Sequence, residues 1–279
     1  MPITSFADLR DFLRDLWAEV QRDRVLAVSA GVGFYAILAV VPALTALISI
    51  FGLLLAPSEV PGLMAPLAGL MPEAAQVLVT DQATRIAAKT NDSLSLTALV
   101  ALAVALWSAT GGTRAMIEAL GIAYDVRETR GFLRQLLVGL AFTLGGFVLV
   151  MAVGLAVAAL PFLVERLGAG AEALVLILRW PVILAVLILV LAVVYRWGPN
   201  RPDAEWRWIT PGAVVASVGL VAISGGMAWY VANFGSYDET YGSLAAVVLL
   251  MLWLWLSTVM VLVGAEINAE LDRRTAARR

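Results

Sequence analysis

Arg22-Asp-Arg24, then Val25-Leu-Ala-Val-Ser-Ala-Gly-Val-Gly-Phe-Tyr-Ala-Ile-Leu-Ala-Val-Val-Pro-Ala-Leu-Thr-Ala-Leu-Ile-Ser-Ile-Phe-Gly-Leu-Leu-Leu-Ala-Pro-Ser58, is the stretch whose reading decides the fold. A charged segment gives way to an apolar run in which no Asp, Glu, Lys or Arg occurs before Glu59. At the helical rise such a run outreaches the roughly 30 Å hydrocarbon core. It is far longer than the apolar core of a signal peptide, so it is expected to remain as a true span. Excess length implies tilt, a kink or extension beyond the bilayer.

The pattern repeats. Further apolar runs fall at about 94–119, 132–162, 172–197, 209–233 and 242–268, which with 26–55 makes six. Composition agrees: 61% of residues are hydrophobic, 14% are charged and the mean hydropathy is +0.90. A soluble domain of this size could not cover so much apolar surface, so lipid is the expected solvent.

Lys and Arg set the orientation. With the N-terminus inside, Arg10, Arg14, Arg22, Arg24, Arg114, Arg127, Arg130, Arg134, Arg196, Arg201, Arg207, Arg273, Arg274, Arg278 and Arg279 fall on the cytoplasmic side. Only Arg85, Lys89, Arg166 and Arg179 fall outside, and an odd number of spans would spoil that alternation. The expected fold is therefore all-α and polytopic, with six transmembrane helices and both termini cytoplasmic. Its expected parts are an amphipathic cytoplasmic helix (1–24), a membrane domain (25–272) with a short helical external segment (56–93), and a basic cytoplasmic tail (273–279).

In the first part, Phe6, Leu9, Phe12, Leu13, Leu16, Trp17 and Val20 recur at helical spacing, and Ser5 with Asp8 resembles a capping box. Asp8, Asp11, Asp15 and Glu19 mix with Arg10 and Arg14 on the polar side, so there is no polybasic excess to seek anionic lipid. An elbow helix at the interface or against the bundle is expected, with docking of another protein as the alternative. In the external segment, Pro57, Pro61, Pro66 and Pro72 break the chain, and Asp81, Arg85 and Lys89 form a charged stripe expected to face water.

Cysteine and histidine are absent, so thiol chemistry and the usual zinc or general-base side chains are missing. No catalytic, cofactor-binding or metal site is expected, and a formal charge of −2 offers no nucleic-acid footprint. The expected partners are membrane lipids, and the oligomeric state stays open. Ionisable side chains inside spans are costly and default to functional candidates. Arg114 and Glu118 near the inner end of the second span, and Glu266 and Asn268 near that of the sixth, are such residues. Arg114 and Glu266 lie at similar depth, so a latch between them competes with two separate structural roles.

Among the aromatic and polar residues, Tyr35 in the first span needs a hydroxyl partner or a wet cavity. Tyr195, Tyr230 and Asn233 share that ambiguity, whereas Tyr237, Asp238 and Tyr241 suit an interfacial belt. Ala101, Ala105 and Ala109, Gly111–Gly112, Gly145–Gly146, Gly225–Gly226, and Gly212 with Ala216 are expected at close helix contacts. Pro42, in the middle of the first span, is the candidate kink.

Three stretches then resemble a known group. Leu26 through Phe34-Tyr35 to Pro42 is similar to the opening span of the YihY/BrkB family of bacterial inner-membrane proteins. Tyr241-Gly-Ser-Leu244, Trp253-Leu-Trp-Leu-Ser257 and Gly264-Ala-Glu-Ile-Asn-Ala-Glu270 resemble its last span. Tyr195 to Pro199 with Trp208 and Pro211-Gly-Ala-Val-Val-Ala216 resemble its fourth-to-fifth connection, and Leu70-Met-Pro72 its external loop. Family-matching positions are Tyr35, Pro42, Pro199, Tyr241, Gly242, Gly264, Glu266 and Asn268; Gly121 departs, where many members carry Asn.

The resemblance implies a six-helix inner-membrane fold, a link to serum resistance and to export or flipping of envelope lipids, and an old ribonuclease label. The residues argue against that label: there is no His, no Cys, no carboxylate cluster for two metals and no basic groove for RNA. The leading expectation is a transporter or flippase of an amphipathic or lipid-linked envelope molecule, with a non-transporting scaffold or assembly factor as the alternative. An enzyme is not expected.

Overall fold

The computed structural model describes residues 6–52, 96–167, 171–202, 208–234 and 243–276. The external segment at 56–93, the loop bearing Tyr237, Asp238 and Tyr241, and the capping residue Ser5 lie outside the described residues. Seven helices fill what is described: α1 (Phe6–Arg22), α2 (Val25–Gly52), α3 (Leu96–Ala123), α4 (Phe132–Leu167), α5 (Ala171–Trp197), α6 (Pro211–Phe234) and α7 (Ser243–Ala276). No strand occurs among the described residues.

Five stretches are long and apolar enough to cross a membrane: Val25–Ala43, Phe132–Val153, Trp180–Trp197, Pro211–Asn233 and Val247–Ala276. The sixth expected span, α3, is 28 residues long and carries Arg114 and Glu118 in its second half. The outward faces are apolar. Phe34, Leu38, Trp107, Val148, Trp180 and Trp229 are each more than half exposed, an arrangement that only hydrocarbon can solvate.

Helices α2 and α3 run antiparallel, as do α6 and α7. On α2 and α3, Val25 shares a core with Leu120 and Ala123 while Gly112 meets Ala36 further along. On α3 and α4, the Thr113 and Thr143 hydroxyls hydrogen-bond at 3.0 Å. On α6 and α7, Gly212 meets Gly264, Gly219 meets Met260, and Trp253 Nε1 donates to Ser224 Oγ at 3.1 Å. α1 and the C-terminal turns of α7 consequently share one end of the bundle, where Arg274 pairs with Asp15 at 2.5 Å. An even number of crossings between them agrees with six spans.

Packing in lipid gains nothing from hydrophobic transfer between helices, so close van der Waals approach must hold them. Small residues provide it at the α1 end: Ala213, Ala216 and Ala265 are fully buried. A Cβ on Gly212 would collide with the Gly264 carbonyl oxygen, and one on Gly264 with the Tyr195 hydroxyl. Gly112 is similarly confined, since an added Cβ would come within 3.1 Å of Ala36 Cα. The other paired glycines correct the sequence expectation: Gly111, Gly145, Gly146, Gly225 and Gly226 face open space, with nothing within 4 Å of an added Cβ.

Helix ends show how the connections are made. α3 closes with a Schellman turn, in which Val126 N–H donates to Gly121 O and Asp125 N–H to Ile122 O, with Asp125 left-handed at φ 53°. α2 continues unbroken through Pro42 to Gly52. α7 continues through Arg273 and Arg274 to Ala276, so the expected tail is helical that far. Its last turns are held by Glu270, which pairs with Arg273 three residues on and Arg274 four residues on.

Gly264→Ala and Gly212→Ala should each destabilise the protein by about 2–3 kcal/mol or prevent folding, because the obstructing atoms are backbone or a buried phenol. Gly226→Ala should be neutral. Thermal unfolding in detergent, followed by size-exclusion recovery, separates the two outcomes.

Candidate functional site

Asn268 organises the α1 end. It is buried on α7, where its Oδ1 accepts the N–H of Gly212 at 2.9 Å. Its Nδ2 donates to Thr210 Oγ1 at 3.1 Å and to the Tyr124 hydroxyl at 3.3 Å. Thr210 also accepts the Ala213 N–H at 3.2 Å, so two otherwise unpaired donors at the start of α6 are satisfied from outside that helix. Beside it the buried Tyr195 hydroxyl donates to Val261 O at 2.7 Å. Burial pushes the Tyr124 hydroxyl up to about 12, which keeps it protonated under the Arg201 guanidinium stacked 4.0 Å from its ring centre.

Glu266 is fully buried one turn away and both its carboxylate oxygens lack a hydrogen-bond partner. It faces Glu19 of α1 and Asp23 of the α1–α2 turn, the three offering oxygens that all lie within 4.8 Å of one another. Glu266 thus turns toward α1 and not toward Arg114. Arg114 packs instead with its guanidinium 5.6 Å from the centre of the Phe132 ring and its stem against Gly139, on the α4 side of α3.

The remaining sequence candidates scatter. Tyr35 is 53% exposed on the outside of the bundle with its ring edge-on to Phe34, so it lines no interior cavity. Glu118 is exposed, and Asn233 is exposed with its Nδ2 bonded back to Trp229 O at 2.8 Å. Tyr241 lies outside the described residues. Of the seven polar candidates among the described residues, Tyr195 and Asn268 meet around Gly212 and Gly264, while Glu266 turns toward α1.

A second feature was not signalled by any single motif. α4 and α5 stand apart and leave a groove of about 690 Å³, open to the side of the bundle. Its wall is apolar, with Val138, Phe142, Leu149, Leu189 and Val193, and Gly145 and Gly146 supply its depth. Arg130, Arg134, Arg196 and Arg201 gather at its α1 end. From Arg134 to Leu149 the groove follows α4 for about 22 Å at the helical rise, past the middle of a bilayer. Arg130 is fixed by Glu128 at 2.6 Å and by Gly198 O at 2.7 Å, and Arg201 by Asp272 at 2.7 Å. Arg130 in turn holds the Glu128 carboxyl below the usual carboxylate range, so this pair persists at neutral pH and is lost only as pH falls through that lowered value. Arg134 is exposed and carries no ion pair among the described residues.

Apolar outward faces and five membrane-length helices among the described residues define a polytopic helical membrane protein. Residues 16–279 match the family described as "Virulence factor BrkB", and the chain belongs to that family. It is 31% identical over 271 residues to the ribonuclease-like protein YfkH of Bacillus subtilis, covering 94% of this chain and 96% of that one. It is 27% identical over 264 residues to the UPF0761 membrane protein Mpe_A1422 of Methylibium petroleiphilum, and spans 62% of that longer protein. No solved structure matches the chain.

Asn268→Ala should cost about 1–3 kcal/mol by stranding the Gly212 N–H. Tyr195→Phe, which removes a single hydrogen bond, should cost about 1 kcal/mol. Chemical unfolding in mixed micelles measures both, and equal costs would contradict the central place given to Asn268.

Proposed function

We propose that the protein moves an anionic amphipathic or lipid-linked envelope molecule across the bacterial inner membrane, with its N- and C-termini in the cytoplasm. The observation that carries this reading is the α4–α5 groove, basic at one end and apolar along its length. An acyl chain suits the apolar wall, and a phosphate or carboxylate suits Arg134, the exposed guanidinium beside Arg130, Arg196 and Arg201, which are held by neighbouring groups. Because the groove opens sideways, cargo enters from the leaflet without leaving hydrocarbon. Among the described residues no carboxylate lines the groove, which favours a lipid-like cargo over a small coupling cation. The concentration of arginine on that side of the chain supports a cytoplasmic setting for the basic end.

The second reading is a scaffold or assembly factor. It draws on α1, where Phe12 packs inward while Phe6, Leu9, Leu13 and Trp17 remain exposed at helical spacing. Ribonuclease activity draws no support from the groove, whose wall beyond the arginines is apolar.

Proteoliposomes containing fluorescent phosphatidylglycerol should show protein-dependent loss of leaflet asymmetry, read by dithionite quenching. Arg134→Ala should slow it several-fold, and Gly145→Leu, which fills the groove without touching a packed neighbour, should slow it further at unchanged thermal stability. Absence of movement for every anionic lipid tested would sink the transport reading. Reporter fusions at both termini should report the cytoplasm, and a periplasmic signal from either would reverse the orientation.

A further inference from the structure

Three acids from two ends of the chain converge where α1, the α1–α2 turn and α7 meet. Glu19 sits in the last turn of α1, Asp23 just beyond it, and Glu266 on α7, with one oxygen from each within 4.8 Å of the others. Glu266 is fully buried with no hydrogen-bond partner on either oxygen, and Asp23 Oδ2 is likewise buried and unpartnered. Burying a carboxylate with nothing to neutralise it is among the costliest arrangements available, so the pocket calls for a bound cation or a proton.

The arginines nearby bond mainly to other acids, and none hydrogen-bonds to Glu266. Arg22 lies 2.6 Å from Glu19 and 3.1 Å from Asp23 Oδ1, which leaves Asp23 Oδ2 without a partner. Arg273 bonds to Glu270 at 3.3 Å and reaches Glu19 at 3.6 Å, with its Nη2 buried and unpartnered, and Arg274 is taken by Glu270 and Asp15. Asp15, Glu19, Asp23, Glu266 and Glu270 therefore share three arginines, and Asp125 adds a further negative charge close to Arg22. Carboxyl groups outnumber guanidinium groups at this junction. The negative end of the α1 macrodipole, which terminates at Arg22, adds to that deficit.

We infer that Glu19, Asp23 and Glu266 bind a hard divalent cation, such as Mg²⁺ or Mn²⁺, that fastens α1 to α2 and α7. Three carboxylate oxygens with waters completing the shell are the ligand type such ions prefer, and the absence of His and Cys excludes softer metals. The inference is independent of the groove, which lies on the opposite side of α7 between α4 and α5. Its consequence is that α1 docks in a cation-dependent way. With the site emptied, repulsion among the three acids loosens the end of α1 that Arg273 and Arg274 hold.

Mn²⁺ binding to the purified full-length protein in detergent, followed by electron paramagnetic resonance at neutral pH, tests this. One ion per chain is expected. Glu266→Gln and Asp23→Asn should each weaken binding about tenfold or more, while Glu118→Gln, an exposed carboxylate elsewhere, should leave it unchanged. Mg²⁺ should raise the thermal midpoint of the wild type and leave that of Glu266→Gln where it stands. Because a neutral glutamine relieves the buried charge, Glu266→Gln should fold at least as well as the metal-free wild type. If no stoichiometric Mn²⁺ binds at millimolar concentration, or if Glu266→Gln binds it equally well, a proton or Arg273 neutralises the pocket and the inference fails.

Discussion

Hydrocarbon offers no hydrogen bond, so every polar group inside this bundle must find its partner in the protein. The Asn268 side chain answers that constraint for three segments at once. It receives the Gly212 N–H at the start of α6 and donates to Thr210 and to Tyr124 at the end of α3. The contact is direct because Gly212 and Gly264 let the backbones of α6 and α7 approach to the point where a methyl group would not fit. Close approach and hydrogen bond thus need each other: glycine brings the helices near enough for Asn268 to reach, and Asn268 satisfies the donor that this proximity shuts away from water.

Around that anchor the bundle divides its labour. α2, α3, α6 and α7 pack through alanine, glycine and the buried residues Leu120 and Leu262, and form the rigid part. α4 and α5 are more loosely joined to each other, and the space left there is the groove with its arginines. The acidic junction with Glu266 lies at the same end but against α1. Two sites of opposite charge thus occupy one end of a single fold, separated by the Asn268 layer.

Much of the fold was legible in sequence because burial in lipid is written as length and charge spacing. Apolar runs of span length and alternating arginine-rich connections follow from local composition, and the helices fall where those runs predict. Asn268, Glu266 and Tyr195 stood out as polar residues amid apolar ones, and all three are buried at the polar end. Depth along a helix was readable, but azimuth was not. Arg114 and Glu266 share a depth yet point to different neighbours, Phe132 and Glu19, because a helix that is apolar on all sides carries no periodic signal of which face turns inward. The same ambiguity hid the outward position of Tyr35 and the openness of Gly145 and Gly146. Glu19 and Asp23 escaped notice because their partner lies more than 240 residues further on, and no local spacing records such a meeting.

The place of α7 in this architecture bears on how the protein is made. It brings Asn268 to α6, receives the Tyr195 hydroxyl on its own carbonyl, presents Glu266 to Glu19, and seats α1 through Arg274. It is also the last of the described helices to leave the ribosome. Until it arrives, Gly212 lacks its acceptor and Tyr195 its carbonyl, so the earlier helices wait in the bilayer as an incomplete set. Closure of the bundle is then an act of the C-terminal segment, and a nascent chain cut short before residue 260 is marked for disposal by the polar groups it leaves unanswered.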